Sequence, residues 1–212
     1  MAHRRESMCD EFFPGCVVAL RSRVRGKRTG RAGEINPIAG RSRRRDHGPV
    51  SVDVRLEEVK SGLRGAFTWR GDSTDQHRYA DVTGWWRRPD LLKCLGPALA
   101  QLFAGERPTV VLGPESRGCL LGPLVALVFD VGFVEVRKDR VGSSDSDVWL
   151  QRTTPPDYRD RHLTLGFRKS LINSGDRVLF VDDWTETGGQ ASGAHMLIQD
   201  AGGFLARCCD GG

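Results

Sequence analysis

The 212-residue sequence has no Cys-x-x-Cys pair among its six cysteines, which excludes a zinc-ribbon or thioredoxin-type motif. Cys9, Cys16, Cys94, Cys119, Cys208 and Cys209 are scattered, and Cys94 and Cys119 stand in apolar surroundings. That usage is expected of reduced thiols in a cytosol. The five histidines, His3, His47, His77, His162 and His195, have neither metal-ligand nor triad spacing and are assigned no role. No Gly-Lys-Ser/Thr closes a glycine loop and no Gly-x-Gly-x-x-Gly occurs, so Walker-type and dinucleotide sites are not indicated. Long apolar runs are missing, and no segment approaches the length of a membrane span. Phe12 to Leu20, behind Arg4 and Arg5, is broken by Pro14 and Gly15 and is followed by no small-residue cleavage site. No internal repeat is present. These absences predict a cytoplasmic protein with no membrane partner.

The formal net charge of +5 is unevenly spread. Residues 1–50 hold twelve Lys/Arg against five Asp/Glu, whereas residues 51–212 hold twenty against twenty-two. The basic clusters Arg21 to Arg31 and Arg41 to Arg45 are spaced by Gly, Ser and Thr without helical or strand period, a composition of disorder. No aromatic residue for base stacking interrupts those arginines, which argues against nucleic acid as a partner. Residues 1–50 are therefore expected to be a disordered basic extension, removable without loss of stability or activity. With 39% apolar residues, the chain can build one core in a domain spanning 51–212.

The most informative stretch runs from Arg177 to Ser192. Val178 to Val181 is a short apolar run after the turn-like Ser174-Gly175-Asp176, and reads as a buried strand. Asp182 and Asp183 follow where that strand ends. A polar loop then leads to Thr187-Gly188-Gly189 and to a helical pattern with Ala191, Ala194, Leu197, Ile198 and Ala201 on one face. Glycines let backbone N–H groups approach an anion, and a helix start adds donors and partial positive charge. The acidic pair then faces a hydroxyl-bearing part of the ligand, or a divalent cation.

At these residues the chain resembles the motif by which type I phosphoribosyltransferases bind 5-phosphoribosyl 1-pyrophosphate (PRPP). Order and spacing both match, from the strand through the acidic pair to Thr-Gly-Gly. Three other strings resemble adenine phosphoribosyltransferases. Tyr79-Ala-Asp-Val-Thr83 is similar to a Phe-Arg-Asp-Ile-Thr string that helps form the base pocket, with Ala80 at the Arg position. Gly113-Pro-Glu-Ser-Arg-Gly118 is similar to a Gly-x-Glu-Ala-Arg-Gly turn, and Phe133 to Lys138 ends in the family's Arg-Lys. Pro114 rules out a serine-hydrolase elbow at that turn.

The resemblance implies an α/β fold with a central, mainly parallel sheet flanked by helices, and a Mg²⁺-dependent transfer from PRPP to a purine-like base. It implies that Thr187, Gly188, Gly189 and Gln190 hold the 5′-phosphate, Gln190 replacing the usual Thr or Ser. Asp182 and Asp183 would meet the ribose hydroxyls, directly or through Mg²⁺-bound water. Ser116, Arg117 and Lys138 would take the pyrophosphate, while Arg137 points to the other face of its strand. Tyr79 and Trp184 would contact the base. Glu115 and Glu186 compete as general base, with Glu115 preferred because its surrounding string matches better. PRPP and a nucleobase are the expected partners, in a homodimer. The alternative is a non-catalytic PRPP-sensing regulator that binds nucleic acid through the basic arm.

Between these motifs the reading is coarser. Val50, Val52, Val54 and Leu56 alternate before Glu57-Glu58, predicting an edge strand. Pro89 starts a helix reaching about Ala104, which Gly96-Pro97 should kink or split. At least one of Trp85 and Trp86 is expected in the core. Residues 139–160 read as a polar flap without regular structure, followed by an alternating strand from His162 to Phe167. Phe204 to Arg207 read as the start of a final strand, in a C-terminus expected to be truncated.

Overall fold

The computed structural model describes residues 55–71, 79–139, 148–154, 162–184 and 188–206, and of Cys16–Val18 and Tyr79 the backbone alone. Period-two alternation in two apolar runs organises it. Strand β4 (Val110–Pro114) lies parallel to β8 (Arg177–Phe180), with Val110 opposite Val178 and Leu112 opposite Phe180. These four side chains face one core, with α5 (Gly189–Ala201) packed over it through Ala191, Ala194, Leu197 and Ile198. Val111, Leu179 and Val181 face the opposite core, filled by α1 (Leu56–Gly65), α2 (Thr83–Arg87), α3 (Pro89–Leu102) and α4 (Gly118–Phe129). The result is a three-layer α/β architecture.

The six-stranded sheet has the order β10-β8-β4-β5-β7-β6. β5 (Gly132–Lys138) and β10 (Phe204–Leu205) extend the parallel part, while β7 (Thr164–Arg168) and β6 (Trp149–Thr153) add antiparallel strands on one edge. From β4 the chain crosses through α4 to β5, and from β8 through α5 to β10 on the opposite side. The carboxyl ends of β4 and β8 therefore flank a topological switch point, where open α/β sheets bind ligands.

Several local expectations change. Leu56, Val59 and Leu63 lie on one face of α1, so the predicted edge strand is helical from Leu56 onward. Val59 and Leu63 bury themselves at about 1.5–3 kcal/mol each, and Glu57 and Glu58 suit a helix N-terminus. The alternating Val50, Val52 and Val54 lie outside the described residues. α3 is not split by Pro97, because the helix is held against α4 so closely that a side chain on Gly96 would strike the Leu124 carbonyl. Part of the predicted flap is the regular strand β6. Trp149 and Thr153 are strand formers, and Arg152 makes a two-toothed ion pair with Asp200 of α5 at 2.6 and 2.9 Å. That exposed pair contributes only about 0–1 kcal/mol, so cross-strand pairing with β7 carries β6. Residues 140–147 and 155–161 lie outside the described residues. Trp85 is fully buried, and its indole N–H donates to the Leu63 carbonyl at 3.0 Å.

Within the basic extension, β1 (Cys16–Val18) pairs antiparallel with β9 (Asp182–Trp184), Cys16 opposite Trp184 and Val18 opposite Asp182. Three residues are too few to show a strand period, which is why no pattern in the chain signals this element. The rest of 1–54 lies outside the described residues, as do 207–212 beyond β10. Deleting residues 1–50 removes a strand from the edge of β9. Both the melting temperature and turnover should therefore fall, contrary to the expectation from composition. Thermal melting and a pyrophosphate-release assay on the shortened protein check this, and unchanged values would show that the pairing contributes nothing.

Candidate active site

A cavity of about 260 Å³ opens at the switch point. It is lined by Glu115, Ser116 and Arg117 from the turn after β4, Lys138 from the end of β5, Asp182, Asp183 and Trp184 from β9, and Gln190 from α5. Eight residues named from the sequence thus converge from four segments. Gly188 caps the start of α5 at φ +76°, a left-handed conformation that favours glycine, and its carbonyl accepts the Ser192 N–H at 2.9 Å. Glu186 and Thr187 lie outside the described residues, and so does the side chain of Tyr79.

The acidic pair is deeply set, with Asp182 6% and Asp183 7% exposed. Asp182 Oδ1 accepts the Asp183 N–H at 2.9 Å. Burial, and then the charge of Asp183, push the Asp182 carboxyl well above the usual carboxylate range. Asp183 Oδ2 accepts from Arg117 Nη1 at 2.7 Å. This ion pair joins two motifs that the sequence assigned to different parts of one ligand. The Oε1 atom of Gln190 is buried with no partner among the described residues, leaving an amide for a ligand to satisfy.

Glu115 is held from two sides. Its Oε2 accepts the Lys138 backbone N–H at 2.8 Å, and its Oε1 pairs with Arg137 Nη1 at 2.8 Å. Arg137 does not line the cavity, as strand alternation predicts, yet it reaches Glu115 and also Glu135 at 3.0 Å. No local pattern signals that contact, because it joins the turn after β4 to the end of β5. A carboxylate has about four lone-pair positions, so Glu115 keeps further positions at which to accept a hydrogen bond from a ligand N–H. Burial, and then Glu135, push the nearby Cys119 thiol up to about 12, which leaves it unsuited to nucleophilic work.

Trp184 presents the cavity's broad apolar surface. Its ring meets that of Trp69, from strand β2 (Thr68–Arg70), edge-on at 5.9 Å. Sequence reading gave Trp69 no part, since it belongs to no motif. Among the described residues no group of three or more His, Cys, Asp or Glu side chains can hold a metal by itself. Asp182 and Asp183 nevertheless fit Mg²⁺ chemically, since their carboxylates offer the hard oxygens that such an ion prefers. No described helix is long and apolar enough to cross a membrane.

Comparison with known proteins agrees with this geometry. The family model described as phosphoribosyl transferase domain matches residues 89–202. An adenine phosphoribosyltransferase of Debaryomyces hansenii is 37% identical over 157 residues, covering 74% of this chain and 80% of that protein. That of Nitrosomonas europaea is 34% identical over 136 residues, 62% of this chain and 72% of that one. The Saccharomyces cerevisiae adenine phosphoribosyltransferase, solved with D-2,5-dideoxy-2,5-imino-altritol 1,6-bisphosphate and adenine, superposes with a TM-score of 0.61 at 27% identity, covering 70% of this chain and 85% of that one. The enzyme from Rhodothermus marinus gives 0.60 at 31% identity, with coverages of 70% and 82%. The chain accordingly belongs to the phosphoribosyl transferase domain family and is a type I phosphoribosyltransferase similar to the adenine phosphoribosyltransferases.

Proposed function

We propose that this enzyme transfers the 5-phosphoribosyl group of PRPP to a ring nitrogen of a purine-like base, with Mg²⁺, in nucleotide salvage. The observation that carries the reading is the meeting, in one cavity, of a buried acidic pair with Arg117, Lys138 and the start of α5. The C–N bond to the base forms as the bond from the anomeric carbon to pyrophosphate breaks, and positive charge develops at that carbon. Asp182 and Asp183 stand ready for the ribose hydroxyls and oppose that charge. Arg117 exchanges Asp183 for the departing pyrophosphate, which Lys138 and Ser116 also meet. The helix start, with Gln190, holds the 5′-phosphate. Mg²⁺, when bound with PRPP, neutralises pyrophosphate as a leaving group. Glu115 takes the proton from the base, a role for which a non-catalytic sensor has no use. Trp184 offers its face to the heterocycle.

A second copy of the chain would cover the exposed Leu120, Leu127 and Val128 on α4, which supports a homodimer, and we place the enzyme in the cytoplasm. The direct test is pyrophosphate release from PRPP with adenine, hypoxanthine and guanine, with and without Mg²⁺. Release that requires both a base and Mg²⁺ is expected, with a weaker preference for adenine than relatives carrying Arg at position 80 would show. No release with any base would overturn the proposal.

A further inference from the structure

A second aromatic side chain stands behind the base side of the cavity without belonging to it. Trp69 does not line the cavity and is half exposed, but its ring meets Trp184 at 5.9 Å with the planes at 87°. Phe67 supports it in turn, edge-on at 5.3 Å and 89°. In the pairing of β2 with β3 (Tyr79–Asp81), Trp69 stands opposite Ala80, so both project from the same face of the two-stranded ribbon. A methyl group at Ala80 leaves that face open to the indole.

The ribbon is firmly anchored. Arg70 Nε donates to Asp81 Oδ2 at 2.8 Å, while the Thr83 N–H and hydroxyl donate to Asp81 Oδ1 at 2.9 and 2.5 Å. Trp85, two residues further on, is locked into the core by its bond to Leu63. Trp69 is therefore a ring on a fixed arm, pressed against a ring that lines the site. A half-exposed indole adds little to the core, so its consequences are its two ring contacts, with Phe67 behind it and with Trp184 at the cavity.

We propose that Trp69 is a positioning residue for the nucleobase, setting the orientation in which the Trp184 ring receives the flat heterocycle. The proposal rests on the phosphoribosyl-transfer reading above and extends it to a strand that carries no motif. Trp69 is not among the residues that line the cavity with Arg117, Lys138 and the acidic pair, so its loss should act on the base through Trp184 and not on PRPP.

Steady-state kinetics of Trp69→Ala and Trp69→Phe test this, with adenine as the first probe and the fastest base of the panel as the second. Trp69→Ala should raise the KM for the base roughly three- to tenfold, the scale of one aromatic pair. The KM for PRPP should not move, the melting temperature should fall by only the few degrees that two ring contacts carry, and Trp69→Phe, which keeps a ring at the contact, should recover most of both losses. A wild-type KM for the base in Trp69→Ala overturns the proposal. So does an equal rise in both KM values, which marks general loosening, or a Phe variant no better than Ala. A wild-type protein that releases no pyrophosphate with any base instead overturns the underlying functional reading, and the role of Trp69 falls with it.

Discussion

Replacing Asp182 and Asp183 together by asparagine is expected to weaken PRPP binding and reduce turnover by about 10²–10³-fold or more, the scale on which groups aimed at developing charge act. The amides keep the shape of the pair but remove its negative charge, which the proposed reaction sets against the anomeric carbon, and its carboxylate acceptors for the ribose hydroxyls. They also remove the oxygens best suited to Mg²⁺. Stability should respond very differently. Burial raises the Asp182 carboxyl above its unfolded value, so the folded state holds that proton more tightly. Between the ordinary carboxylate value and the raised folded one, the unfolded chain releases this proton while the folded chain keeps it, so stability falls as pH rises across that window, and the amide removes that loss. Asn at 183 does lose the 2.7 Å pair with Arg117, but that guanidinium is one-third exposed and water can replace the partner. Turnover should collapse while the melting temperature changes by a few degrees at most. Pyrophosphate release, PRPP binding and thermal melting on one preparation check all three, and unchanged PRPP affinity and rate would remove the assignment of the pair.

Glu115→Gln is expected to lower kcat by roughly 10²–10⁴-fold, the range for loss of a positioned general base. The KM for PRPP should stay nearly unchanged, because Glu115 is not among the groups placed to meet the phosphates. Glutamine also faces Arg137 without a charge, so a small fall in melting temperature is expected from the lost ion pair. Glu186→Gln should mainly alter the ranking among bases, since an acidic side chain there favours a base presenting a ring N–H. Rates for both variants over the base panel decide between the two glutamates. The reverse outcome would make Glu186 the base, and two silent substitutions would move proton removal elsewhere.

Much of the site was legible because its parts are short and local. A strand followed by two acids and Thr-Gly-Gly encodes its own geometry, as does the turn from Gly113 to Gly118. The edge-strand reading at residue 56 failed because Leu56 fits both a period of two and the i, i+3, i+7 face shared with Val59 and Leu63. Only packing against the α3 side of the core chose between them. The flap reading missed β6 because its five residues are mostly exposed and show little alternation, and its pairing with β7 spans another segment of chain.

The sequence by itself determined which groups would gather at the site, since strand ends, glycine turns and helix starts are set by neighbouring residues. Tertiary structure alone decided how those groups engage one another. Arg117 pairs with Asp183, sixty-six residues away, Arg137 steadies Glu115, Trp69 leans on Trp184, and β1 lies along the acidic strand. Each of these contacts joins segments that have no mutual pattern in the chain. Each is also too weak to drive folding alone, so it forms only after the core has brought its partners within reach.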